Sequence, residues 1–338
     1  MALETCLRSI RLRPSKELPS MSHPAKKVML AAAAMLMIST LGGPAGAAPV
    51  MVARPRAATC STTQMSHLRA LQGQLDRLAV NRQAGQAQYW YIDPGQCKVS
   101  IAVLRGAGDE FTRQFVTVAG ASPDLTAIAE VDHAVSSWVA RVPAPTSTPE
   151  GRAATTFHGG SPILSGTAGS VYECTAGFNN YHAGTVTTAG HCGAAAPIWY
   201  DAEGTLLGTV SDHRFPGSDW TVITPAPGWT LAGDVADGSG GTIPITGFAQ
   251  PQQGQSVCGT GATSGMQCGM ILATNVTVNY PEGAVMGLAE SSQNGNGGDS
   301  GGPVYAPATT TSTATGVGLI SGGPAGGGSP TFVQPLNF

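Results

Sequence analysis

Polar and apolar positions change rhythm three times along the 338-residue chain. Lys26 and Lys27 precede a continuous apolar run over residues 28–41, and the small residues Ala45, Gly46 and Ala47 follow it. The next rhythm is helical: HLRALQGQLDRLAV, beginning at His67, spaces Leu68, Leu71, Leu75 and Leu78 along one face. In YWYIDPGQCKVSIAVL two strand-like runs flank Asp93-Pro94-Gly95, the pattern of a hairpin, and residues 127–139 are expected to form a second helix. Beyond residue 157 the chain breaks into short β-type runs separated by glycine and proline: AGTVTTAGH, PIWY, TLLGTVSD, DWTVIT, MILATNVTVNY, TGVGLISGG and TFVQPL. Little of it is long or periodic enough for a helix, which predicts an all-β sandwich or barrel.

These rhythms divide the chain. Residues 1–47 read as a signal peptide, with Met21 as an alternative start, because the apolar run is shorter than the roughly 20 residues of a membrane span and ends in a small-residue cleavage pattern. A small α+β segment covers 48–141. VPAPTSTPEGRAATT, residues 142–156, reads as an exposed linker, and the β-rich segment covers 157–338.

Only 11% of the residues are charged, against about 25% in an average soluble domain. The charges are unevenly shared. Residues 48–156 carry ten Lys or Arg and eight acids, whereas 157–338 carries Arg214 alone against ten acids, a net −9. Opposite fields favour docking of the two segments, and the acidic one is a poor partner for nucleic acid. After loss of the leader and its Cys6, six cysteines remain at 60, 97, 174, 192, 258 and 268. An even number in an exported chain, with no CxxC pair or histidine cluster, predicts disulfides and no metal or other cofactor. Cys60 and Cys97 are the candidate staple of the first segment.

Candidate chemistry lies in three places. NGNGGDSGGPVY, residues 294–305, presents Ser300 among glycines. TTAGHC runs a β-branched strand into a turn carrying His191, and FPGSDWTVI sets Asp219 at the head of an apolar strand able to bury its carboxylate. Asp212 is the rival acid but lacks such a strand, and His158, His182 and His213 read as surface histidines. Acyl transfer by serine requires a base, an acid orienting that base, and backbone donors for the oxyanion.

On TAGHC, GSDW and GDSGGP, in that chain order, residues 157–338 resemble the chymotrypsin-fold serine proteases, specifically the secreted bacterial branch of streptogrisins and α-lytic protease. The resemblance implies two six-stranded antiparallel β-barrels and a triad of His191, Asp219 and Ser300. It also implies an oxyanion hole from the amides of Gly298 and Ser300, substrate-pairing residues Ser321, Gly322 and Gly323, and disulfides Cys174–Cys192 and Cys258–Cys268. The first segment resembles the pro-regions of the same branch, which assist folding and inhibit the enzyme until cut away, here within residues 152–158. A secreted, monomeric endopeptidase acting on protein or peptide is the expectation, with no membrane contact after signal cleavage. The residues flanking the expected pocket, SSQNGNGG and GGPAGGGSP, carry no charge, so an apolar residue is predicted on the acyl side of the cut. The alternatives are a glutamyl-specific enzyme, although Ile320 stands where those relatives have histidine, and a degenerate domain that binds peptide without cutting it.

Three departures from the family pattern carry expectations of their own. Neither pocket stretch holds the cysteine that ties these loops in relatives, which predicts a looser pocket. Gly259 stands where relatives place an arginine for the carboxylate before the nucleophile, leaving Asp299 to Arg214, a freed N-terminus or hydrogen bonds, with the Gly298 loop only partly preorganised. TFVQPL ends near Phe338 where relatives continue into a helix, which predicts reduced stability.

Overall fold

The computed structural model describes residues 60–120, 123–143, 155–167, 170–179, 184–308 and 312–336. The leader, its alternative start at Met21, His182, Arg152 and most of the linker lie outside the described residues.

The first segment opens on α1 (Thr62–Val80), whose Ser61 and Gln64 close a reciprocal capping box and whose Leu68, Leu71 and Leu75 are buried. A hairpin follows, β1 (Ala87–Asp93) and β2 (Lys98–Leu104), with Asp93 opposite Lys98 and the Cys60–Cys97 disulfide beside its turn. The second helix is not at 127–139. It is α2 (Glu110–Gly120), started by the Asp109 carboxylate accepting the Thr112 amide and burying Thr112, Phe115 and Ala119. Residues 126–131 instead form β3 (Thr126–Val131), parallel to β2, and two short strands follow, β4 (Val135–Ser137) and β5 (Ala140–Val142). The β-branched residues Thr126, Ile128, Val131 and Val135 favour extension once an edge is available, and local spacing could not reveal that edge.

In the second segment, β6 (Thr155–Gly159) precedes a barrel of β7 (Pro162–Thr167), β8 (Ser170–Thr175), β9 (Val186–Thr188), β10 (Ile198–Asp201), β11 (Leu206–Arg214) and β12 (Trp220–Pro225). The strands run in the order β8-β7-β10-β11-β12-β9. Gly177 N donating to Thr187 O (2.6 Å) and Thr187 N to Phe178 O (3.2 Å) bring the last strand back to the chain after β8. Between β9 and β10 lies the short helix α3 (Gly190–Ala195). Two strands then cross over, β13 (Trp229–Ala236) and β14 (Thr242–Phe248). The second barrel comprises β15 (Ser256–Gly261), β16 (Gly265–Tyr280), β17 (Gly283–Ser291), β18 (Pro303–Pro307), β19 (Ala314–Pro324) and β20 (Thr331–Pro335), closed in the cycle β15-β16-β17-β20-β19-β18. Within each barrel all pairs are antiparallel; β6 pairs parallel with β13, and β14 adds parallel to β19 from outside the second barrel.

Backbone pairing joins the first segment to the second barrel. β1 lies antiparallel on β16, with Tyr89 opposite Val278 and Trp90 opposite Thr277, so the small sheet continues the barrel wall. Gln72 Nε2 donates to Asn275 O (2.9 Å), and Asp76 Oδ1 accepts from both Trp90 Nε1 and Thr277 Oγ1 (2.8 Å each). Among the described residues no helix is long and apolar enough to cross a membrane.

Candidate active site

The three sequence-selected groups meet where the barrels face each other. The first barrel supplies two: β9 ends in the turn into α3 and carries His191, and the residue before β12 is Asp219. The second supplies Ser300, in the loop before β18. His191 Nδ1 lies 2.9 Å from each carboxylate oxygen of Asp219, and its Nε2 lies 2.7 Å from Ser300 Oγ. Asp219 is 0% and His191 5% exposed, so water does not compete for the shared proton. With the Nδ1 proton donated to Asp219, Nε2 is left as acceptor for the Ser300 hydroxyl. Asp212, the rival acid, is exposed on β11.

Asp219 is held from several sides. Its Oδ1 also accepts the His191 amide (2.9 Å), its Oδ2 accepts the Ser321 hydroxyl (2.6 Å), and its own amide donates to Gln334 Oε1 (2.7 Å). Tyr280 OH reaches Ser321 Oγ at 3.0 Å, and burial, reinforced by the Asp219 charge, pushes its phenol up so that it stays neutral. Neither Gln334 nor Tyr280 stood out in the sequence; both come from barrel strands whose residues meet Asp219 only on closure. His158, expected at the surface, is half-buried and paired with Asp234, far in sequence on β13, while His213 is exposed.

The loop before Ser300 is fixed by backbone groups. Asp299 has no need of the absent arginine, because Oδ1 accepts the amides of Thr263 and Ser264 (2.9 Å each) and Oδ2 accepts that of Asn296 (2.7 Å). The hairpin that offers Thr263 and Ser264 is closed by Cys258–Cys268, and Cys174–Cys192 lies behind His191. Thr175 Oγ1 donates to Gly298 O (2.8 Å). Gly298 itself has φ +100°, a conformation that a Cβ would strain, and this turns its N–H into the cleft. The expectation of a partly formed loop is therefore corrected.

The pocket is also tied without cysteine. Gly295 N donates to Gly328 O (3.1 Å) and Gly328 N to Gly295 O (2.8 Å), a reciprocal pair joining the two walls, and Thr331 Oγ1 adds a bond to Gln293 O (2.9 Å).

A segment that precedes both barrels in the chain fills the cleft. β4 lies antiparallel on β19, with Ser137 opposite Gly322, Ser136 opposite Gly323 and Val135 opposite Pro324. Trp138, 2% exposed, places its ring against Gly295 and Gly323, where a Cβ at either position would overlap the indole, and Nε1 donates to Pro324 O (3.1 Å). Its carbonyl oxygen accepts the Gly298 N–H at 2.6 Å. β5 then pairs with β8, Ala140 opposite Glu173 and Val142 opposite Val171. Trp138 was hidden inside the expected helix; no local signal separates a tryptophan destined for a cleft from one destined for a core.

One buried acid was also missed. Glu290 faces β1, where its charge adds to burial in raising the phenols of Tyr89 and Tyr91, and its Oε2 has no hydrogen-bond partner. Burial pushes Glu290 from the ordinary 4.5 up to about 7. Folding thus favours its protonated form, so this contribution to stability is whole below about pH 4.5 and is lost as pH rises to about 7, a change of ~3 kcal/mol. In the full chain inactivated by Ser300→Ala, Glu290→Gln is expected to flatten the pH dependence of urea unfolding and to stabilise the protein at pH 8. An unchanged difference between pH 5 and pH 8 would count against it.

No protein-family model matches the chain. Among curated proteins it is similar to serine protease 2 of Streptomyces fradiae, 35% identical over 171 residues, covering 49% of this chain and 93% of that one. It is similar to glutamyl endopeptidase 2 of Streptomyces griseus, 33% identical over 181 residues, 53% of this chain and 92% of the relative. Streptogrisin-C of Streptomyces griseus is 29% identical over 266 residues, 78% of this chain, and the chain spans about half (52%) of that protein's length. A match of that extent is longer than segment 157–338 and so runs well into the first segment.

Proposed function

Because the chain belongs to the chymotrypsin-fold serine proteases, in the bacterial branch of streptogrisins and α-lytic protease, we propose that it is a secreted endopeptidase made as a zymogen, with Ser300 as nucleophile, His191 as general base and Asp219 as its orienting acid. The observation that carries this reading is the unbroken line from Asp219 through His191 to Ser300 Oγ, beside a Gly298 N–H that already holds a peptide carbonyl.

His191 takes the Ser300 proton as Oγ attacks a substrate carbonyl, and Asp219 stabilises the imidazolium that results. The Gly298 N–H stabilises the oxyanion, with the Ser300 amide as the second donor; each is worth about 3 kcal/mol in sites of this kind. Ser321, Gly322 and Gly323 receive the substrate backbone as an added strand. Residues 48–141 act as pro-region, folding aid and inhibitor, a role supported by the strand lying in the cleft and by the extended match to streptogrisin-C. An apolar preference is supported by the uncharged walls around an indole ring. The same ring, with Ile320 immediately before Ser321, weighs against a glutamyl specificity.

Labelling with a fluorophosphonate tests the assignment. Processed protein is expected to react at one serine and to lose that reaction in Ser300→Ala. Correctly processed protein that neither labels nor hydrolyses peptide would leave only a peptide-binding domain.

A further inference from the structure

The segment in the cleft is arranged as a substrate on both sides of one peptide bond, and we propose that this enzyme cuts its own chain between Trp138 and Val139. The inference rests on the protease reading above and adds to it the bond and the residue that fills the pocket. Residues 135–137 pair with the strand that receives the acyl side of a substrate, and residues 140–142 pair with β8 on the leaving side. Between them, Trp138 alone enters the pocket and presents its carbonyl to Gly298 N–H. This bond lies upstream of residues 152–158, where the motif comparison expects the cut.

The glycines at 295 and 323 make room for the ring. Any side chain at either position would occupy the indole's place, so these two set the pocket's depth for a large aromatic residue. Position in the chain supports the same bond. Val139 precedes β6 by sixteen positions, and β6 is already paired with β13 while Trp138 sits in the cleft. Sixteen residues span up to ~55 Å when extended, so the bond reaches Ser300 without displacing the first strand of the catalytic domain.

The chemistry balances with water as the one co-reactant. Ser300 Oγ bonds to the Trp138 carbonyl carbon as its proton passes to His191 Nε2. The Trp138–Val139 C–N bond then breaks, and His191 hands that proton to the Val139 amine. Water next adds to the Trp138 ester, giving one proton to His191 and, on collapse, returning Ser300 Oγ–H. The products are a first segment ending in the Trp138 carboxylate and a catalytic chain beginning at the Val139 amine.

The test measures the carboxyl end of the released first segment, which later trimming of the catalytic chain does not alter. Refolded wild-type full chain is expected to yield a fragment whose intact mass ends at Trp138, and Ser300→Ala none. Because Trp138 variants are liable to misfold, a free peptide VSSWVARV is offered to processed enzyme alongside. Cutting between Trp and Val, with at least a 100-fold lower kcat/KM when that Trp is replaced by Asp, supports the proposal. An enzyme that labels with fluorophosphonate and hydrolyses other peptides, but spares this one and releases a fragment ending within 152–158, overturns it while leaving the protease reading intact. Absence of both labelling and cleavage overturns both.

Discussion

Replacing His191 by alanine in the processed enzyme is expected to lower kcat by about six orders of magnitude, with Ser300→Ala equally damaging and the double variant no worse than either. The reason is geometric. Ser300 Oγ has its one strong acceptor in His191 Nε2 at 2.7 Å, and an unassisted serine hydroxyl is a weak nucleophile at neutral pH. Removing either partner therefore abolishes the same step. What remains is the contribution of the oxyanion donors and of substrate binding, about 10³-fold over water. Single-turnover hydrolysis of an aromatic peptide measures this, using catalytic domain freed by an added protease site in the linker so that inactive variants can still be compared. Additive losses in the double variant would show that the two residues serve separate steps.

Asp219→Asn is expected to lower kcat by about 10⁴-fold with little change in KM. Asp219 is fully buried and its carboxylate acts only as acceptor, toward the His191 amide, His191 Nδ1 and the Ser321 hydroxyl. An amide keeps one oxygen, and the His191 backbone claims it. The NH₂ group then stands where Oδ2 stood, against Nδ1 and Ser321 Oγ. Nδ1 is pressed to give up its proton, Nε2 takes one, and the ring can no longer accept from Ser300. Imidazolium formed during attack also loses its counter-charge. A fall of less than tenfold would mean that Gln334 and the α3 backbone orient His191 without help from a carboxylate.

The placement of the candidate site residues was more legible than the architecture around them. His191 and Ser300 stand out because each sits in a short, glycine-flanked motif, TAGHC and GDSGGP. Asp219 was separable from Asp212 because an apolar strand follows it, and burial is what distinguishes the two. Long-range pairing was not legible. The helix expected at 127–139 failed because those residues are extended by β2 and β19, distant partners that local periodicity does not encode. α2 was missed for a different reason: Thr112, Phe115 and Ala119 do recur at helical spacing, but the stretch is short and lies between the hairpin and the longer run that was read as the helix. Asp299 misled by analogy: a missing arginine suggested a partly preorganised loop, whereas three backbone amides, invisible as residue types, hold its carboxylate.

The placement of the disulfides has a redox consequence. Cys174 and Cys192 are fully buried behind His191, whereas Cys268 is exposed at the edge of the hairpin whose Thr263 and Ser264 amides grip Asp299. The pocket walls, joined at Gly295 and Gly328 by backbone hydrogen bonds, offer a thiol nothing to attack. Of these two disulfides, a mild reductant therefore reaches the one that supports the loop before Ser300 first. In a reducing medium the enzyme would lose turnover before it lost its choice of substrate.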